Sequence, residues 1–190
     1  MTKKIYLLRH CITTDSEKGI NGSRTDTPLS ENGLLAAKEL VSQLLAYKFD
    51  LIIVSPLQRT IQTIQPYMDA LDKKLPILSE PLTLERDLGI FTNTISGDGK
   101  IPVDQKASGK SKTEWQPKWG ESCVQVYQRA QEFLRKIKLR PEKSILVCGH
   151  QNFLRCLELS LLNQPVDDKH FYSDTPPRLN YGEIREFQLS

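Results

Sequence analysis

Two short apolar runs in this chain end on side chains that could do chemistry. Ile5 to Leu8 stops at Arg9 and His10, and Ile145 to Cys148 passes through Gly149 into His150. The chain has three histidines, and two of them stand at these exits. Arg59 follows a third apolar run, "DLIIVSP", and Glu85 follows a fourth, "LPILS". Two arginines offer fixed forks of donors that match the oxygens of a phosphate or a carboxylate, so the target is an anion. A neutral imidazole can attack phosphorus, and a carboxyl group can protonate the departing oxygen. Those parts suffice for phosphoryl transfer without a metal. The sequence has no Walker loop, no DxD-type carboxylate cluster and no HExxH zinc helix, which removes the usual metal-dependent designs. Taken singly, each residue also has a duller reading: a solvated arginine, a histidine satisfying buried backbone, a surface carboxylate. Their joint placement is what carries the argument.

That placement depends on the elements. A continuous apolar run is expected where both faces of a parallel sheet are covered. The first strand falls near Lys4 to Leu8, and a polar loop follows it. Ser30 reads as the N-cap of a helix reaching about Tyr47, with Leu34, Ala37, Leu40, Val41, Leu44 and Leu45 on one face. "DLIIVSP" is the second strand, and "LQRTIQTI" begins a second helix that Pro66 is placed to kink or divide. "LPILS" is a third strand, which leaves Glu85 and Arg86 just beyond its exit. Thr92 to Gly120 shows no periodicity and is rich in Gly, Lys, Ser and Pro, so it reads as a flexible surface insertion within one domain spanning residues 1–190. Its lysines at 100, 106, 110, 112 and 118 could steer anions. Trp115 and Trp119 could wall the leaving group or anchor the loop. Glu121 opens a third helix, "SILVCG" is a fourth strand, "NFLRCLELSLLN" a fourth helix, and "GEIREFQLS" a closing edge strand.

Strands alternating with helices imply an α/β fold, a three-layer sandwich with a mostly parallel sheet and helices on both faces. Ligands in that architecture bind outside the carboxyl ends of the strands, where Arg9, His10, Arg59, Glu85 and His150 all fall.

Composition narrows the class further. With 190 residues, 38% of them hydrophobic, one globular domain with a substantial core is enough. A net charge of +3 against 26% charged residues is too even for a nucleic-acid or membrane-surface protein. The four cysteines form no C-x-x-C pair, so neither zinc nor a disulfide framework is indicated. No signal-peptide core and no membrane-length apolar stretch is present, and a cytoplasmic protein is expected.

"LLRHCITT", "DTPLSENG", "SPLQRTIQT", "LERDLG", "WGES" and "LVCGHQNFLR" occur in the order and approximate spacing of the histidine phosphatase superfamily. The chain resembles that family over almost its whole length. The resemblance implies the phosphoglycerate mutase-like fold and a histidine acid phosphatase-type phosphoric monoester hydrolase acting on small phosphorylated metabolites, with no cofactor. It makes His10 the nucleophile that becomes phosphohistidine, Arg9, Arg59 and His150 the clamp on the transferring group, and Glu85 the proton donor. Thr13 matches a polar position that also touches phosphate. A mutase, or a degenerate member that only binds a phosphorylated ligand, are the alternatives.

Several positions depart from the family pattern. Cys11 stands where glycine is usual, so a side chain must fit beside the nucleophile; its thiol is either activated by bound phosphate and arginines or packed and inert. Ser16 replaces a common asparagine, Gln151 and Asn152 replace small residues, and "LERDLGIFTN" lacks the later aromatic-Glu-Gly.

Overall fold

The computed structural model describes residues 3–189. Five strands form one sheet: β1 (Lys3–Arg9), β2 (Leu51–Val54), β3 (Ile77–Ser79), β4 (Ser144–Gly149) and β5 (Ile184–Leu189), in the order β3-β2-β4-β1-β5. The β1–β4, β2–β4 and β2–β3 pairs are parallel, and only β5 runs antiparallel, at the edge beside β1. The apolar runs are continuous because successive side chains point to opposite, equally covered faces. Ile5, Leu7, Leu51, Ile53, Ile145 and Val147 pack against helices α5 (Cys123–Leu139) and α6 (Gln151–Leu161). Tyr6, Leu8, Ile52, Val54, Leu146 and Cys148 face α2 (Glu31–Leu45) and α3 (Gln58–Asp69). The result is the expected mostly parallel sheet between two helical layers.

Local chemistry explains where the helices begin. The Ser30 hydroxyl accepts the Gly33 N–H at 3.1 Å and caps α2. Ser122 and Gln125 form a reciprocal capping box, so α5 starts at Cys123 rather than at Glu121. Leu57 cannot cap α3, and the Asp26 carboxylate takes the Gln58 N–H instead, at 2.7 Å. Pro66 lies inside α3 without dividing it, since Ile64 and Tyr67 on either side of it are buried in the core.

Outside the sheet the structure adds helices that periodicity did not reveal: α1 (Thr14–Glu17), α4 (Lys100–Ser108) and α7 (Asp168–Phe171). In α4 the apolar residues Ile101, Pro102 and Val103 are consecutive, and Val103 is 71% exposed, so no amphipathic stripe exists to be read. The segment around α4 is tied down twice. Asp168 accepts the N–H groups of Lys112 and Thr113 at 3.0 and 2.8 Å, and the buried Trp115 indole donates to Asp104 at 2.8 Å while its ring packs on Phe91. Trp115 therefore anchors the segment, whereas Trp119 is exposed. Among the described residues no helix is long and apolar enough to cross a membrane.

Candidate active site

Strand register brings the two strand-exit histidines together. Arg9 on β1 pairs with Gly149 on β4, so His10 and His150 leave the sheet side by side. The His10 N–H donates to the Gly149 carbonyl at 3.0 Å, and the two rings stand 5.1 Å apart, edge to face. Arg59 arrives from the first turn of α3, beyond β2 on the other side of β4. Glu85 follows β3 and the short 3-10 turn Pro81–Thr83. Arg9, His10, Thr13, Arg59 and Glu85 line one cavity of about 270 Å³ at the carboxyl ends of the strands. Its placement is the one the parallel topology dictates.

The imidazole of His10 is held in one tautomer. Its Nδ1 lies 2.7 Å from the Cys11 carbonyl oxygen. A carbonyl only accepts, so Nδ1 carries the proton and Nε2 keeps its lone pair. Burial, followed by the positive charges of Arg59 and Arg9, lowers the His10 pKa to about 3. The ring is thus neutral and nucleophilic throughout the physiological range.

Both arginines are buried cations. Arg9 donates through Nη1 to the Leu179 carbonyl at 2.9 Å, and its guanidinium stacks 3.7 Å from the centroid of Tyr181. Its Nε is buried with no hydrogen-bond partner. Such an orphaned donor costs roughly 1–3 kcal/mol, more when charged, unless an acceptor arrives. Arg59 donates Nη1 to the Thr25 carbonyl at 2.7 Å, Nη2 to the Ser23 carbonyl at 2.8 Å, and Nε to His150 Nδ1 at 3.2 Å. Burial lowers the pKa of each guanidinium, Glu85 opposing it through space in both cases.

His150 stands beside His10 at the exit of β4 but does not line the cavity. It is fully buried, its Nδ1 accepts from Arg59, and its Nε2 lies 2.7 Å from the Ser55 hydroxyl. With both ring nitrogens engaged it braces Arg59. Burial, then Arg59 and His10, holds its pKa well below the ordinary histidine value. The Glu85 carboxylate accepts the Arg86 N–H at 2.7 Å and the Asn152 N–H at 3.2 and 3.3 Å, which fixes it at the start of α6. Thr13 caps α1, its hydroxyl accepting the Ser16 N–H at 3.1 Å. Ser16, Gln151 and Asn152, three of the departures from the family pattern, all line the cavity.

Cys11 is packed, not activated. Burial pushes its thiol up to about 11, and its sulfur sits among Leu29, Ala37 and Leu40. Gly182 lies beside it with φ +72°, a backbone conformation that favours glycine. Gly33 allows the adjoining loop to rest on α2, since a Cβ would fall 2.0 Å from the Ile12 carbonyl oxygen. Sequence reasoning passed over Ser23 and Tyr181. Ser23 has φ 46° and presents its carbonyl to Arg59. Tyr181 lies between β5 and the cis Thr175-Pro176 bond, with no motif around it, and only tertiary folding brings it over Arg9. Among the described residues no group of three or more His, Cys, Asp or Glu side chains is placed to hold a metal ion.

The model of histidine phosphatase superfamily branch 1 matches residues 5–175. The chain belongs to this superfamily. Phosphoserine phosphatase 1 of Hydrogenobacter thermophilus is 29% identical over 184 residues, covering 95% of this chain and 85% of that one. Adenosylcobalamin/alpha-ribazole phosphatase of Escherichia coli is 27% identical over 176 residues, covering 90% and 85%. The crystal structure of a candidate alpha-ribazole-5'-P phosphatase from Escherichia coli superposes with a TM-score of 0.84 at 23% identity, covering 100% of this chain and 92% of that one. That likeness shows the histidine phosphatase fold.

Proposed function

We propose that this chain is a metal-independent phosphomonoesterase, a phosphoric monoester hydrolase of the histidine acid phosphatase type. It acts on small phosphorylated metabolites in the cytoplasm through a phosphohistidine at His10. The observation that carries this reading is the meeting, in one cavity, of a neutral His10 with its Nε2 lone pair free and the buried cations Arg9 and Arg59. A phosphoryl group supplies both the electrophile and the anion that the two cations call for. The phosphatase names of its relatives agree with it.

The lone pair of His10 Nε2 attacks phosphorus in line with the ester oxygen. The P–O bond breaks as the N–P bond forms, and the departing alkoxide takes a proton from Glu85. Arg9 and Arg59 balance charge on the equatorial oxygens while fixed by their own backbone acceptors, so little reorganisation is needed. Water then attacks the phosphohistidine, giving its proton to Glu85 and releasing inorganic phosphate and free His10. His150 acts through Arg59 as a positioning residue.

The test is product analysis with excess EDTA. Phosphate should be released from phosphomonoesters at an undiminished rate, and 3-phosphoglycerate should yield inorganic phosphate rather than 2-phosphoglycerate. Loss of turnover restored by magnesium or zinc would overturn metal independence, and isomerisation faster than phosphate release would make the enzyme a mutase.

A further inference from the structure

A second cavity, of about 360 Å³, adjoins the first. Arg86, Leu88 and Asn152 line both, so the two spaces meet beside the Glu85 carboxylate, which is held by the Asn152 N–H. The walls of the second come from the α4 segment and from the chain around α7: Ile101, Pro102, Lys112, Trp115, Tyr172 and Arg178.

The charge of this lining is one-sided. Arg86, Lys112 and Arg178 face the cavity, and no aspartate or glutamate does. Arg86 is already satisfied, donating to the Glu121 and Trp115 carbonyls and to the Cys123 sulfur. Arg178 and Lys112 are not. Arg178 has one long hydrogen bond, to the Phe171 carbonyl at 3.4 Å, and is otherwise held by the rings of Phe171 and Tyr172. Lys112 has its ammonium 5.5 Å over the Tyr172 ring. Neither takes part in any of the ion pairs among the described residues. Asp168 feels the charge of Lys112, yet its oxygens are spent on the Lys112 and Thr113 N–H groups. Arg178 also lies within the field of Glu85 and Arg9.

A leaving group whose ester oxygen sits at Glu85 has this seam open to it. A partly desolvated guanidinium without a carboxylate partner, with the exposed Lys112 ammonium beside it, attracts an anion and resists a cation. We infer that the second cavity is the leaving-group subsite and that it selects phosphate monoesters whose alcohol carries a further anionic group, a carboxylate or a second phosphate. The aromatic and apolar walls accept the carbon skeleton between the two anions. An ammonium on that skeleton finds no carboxylate in the lining and is disfavoured. This rests on the phosphatase reading above for the position of the ester oxygen.

Two matched pairs test the inference: 3-phosphoglycerate against glycerol 3-phosphate, and fructose 1,6-bisphosphate against fructose 6-phosphate. Initial rates on the wild-type protein are measured together with calorimetric binding to the non-reacting variant His10→Ala. The anionic member of at least one pair should be favoured by roughly tenfold or more, and the pair that shows the preference identifies carboxylate or phosphate as the anion. Arg178→Gln and, as a surface change that leaves the fold intact, Lys112→Ala should each reduce that ratio at least threefold. Equal treatment of both members in both pairs, or a ratio unchanged in both variants, overturns the subsite. If the preference is present in binding while wild-type protein releases no phosphate from any ester, the subsite stands and the catalytic reading falls.

Discussion

Around His10, the polar groups are braced by hydrogen bonds, most of them to backbone carbonyls of the loops beyond the strands: Nδ1 by the Cys11 carbonyl, Arg59 by the carbonyls of residues 23 and 25 and by the His150 ring, Arg9 by the Leu179 carbonyl. Around Arg178 the cations rest on aromatic faces supplied by short helices outside the sheet, with most of their donors free. The first arrangement is rigid and indifferent to what the phosphate is attached to. The second meets only the remainder of the substrate. On the proposed reading, reaction and selection are carried by different parts of the chain, joined at Glu85 and Asn152.

Changes on the sheet side should fall on every substrate alike. Arg59→Ala removes a cation from the transferring group and unpairs His150, and should lower kcat/KM about 10³-fold on phosphomonoesters of any leaving group. Steady-state rates on a nitrophenyl, a sugar and an acidic ester would show this, and a loss confined to one of them would dissolve the distinction between the two regions.

Glu85 sits at the junction, so its effect should depend on the leaving group. A nitrophenolate departs with little need of a proton, whereas a sugar alkoxide needs one badly. Glu85→Gln should lower kcat/KM, which reports the steps up to release of the alcohol, by about 10²-fold for sugar phosphates and only a few-fold for nitrophenyl phosphate. Equal losses on both would make Glu85 a holder of phosphate, belonging wholly to the braced side.

The smallest expected effect concerns acid. The folded state holds His10 neutral down to about pH 3, while the unfolded chain protonates it near 6.5. The unfolded state therefore binds the extra proton between those values, and stability falls as pH drops from about 6.5 toward 3. The dependence of unfolding free energy on pH between 6 and 4 should be steeper in wild type than in His10→Ala, by about 1.4 kcal/mol per pH unit. Denaturant melts at pH 6, 5 and 4 measure it, and identical slopes would contradict the buried neutral ring.

Much of the braced side was legible in the sequence. The runs ending at Arg9 and Gly149 announce parallel strands covered on both faces, and parallel strands fix where a ligand sits. What stayed hidden was set by contacts distant in sequence. The ring nitrogens of His150 are taken by Ser55 and Arg59, and neither partner can be inferred from the strand it follows. The start of α5 was written in Ser122 and Gln125, but Glu121, one residue earlier, is instead claimed by Arg24 and Arg129. The second cavity was legible only in part: Lys112 and Trp115 stood out as an anion-steering lysine and a candidate wall, whereas α4 has no apolar stripe and Arg178 lies between a cis proline bond and the last strand, in a stretch without periodicity.

The central claim is that the phosphoryl group passes through His10 Nε2. Rapid acid-free quenching of wild-type protein mixed with a labelled phosphomonoester, followed by peptide mapping, tests it most directly. The account predicts an acid-labile, base-stable phosphoryl group on the peptide containing His10, absent in His10→Ala and accumulating in Glu85→Gln when the ester is a nitrophenyl phosphate. Label on another residue, or label retained by His10→Ala, would contradict it.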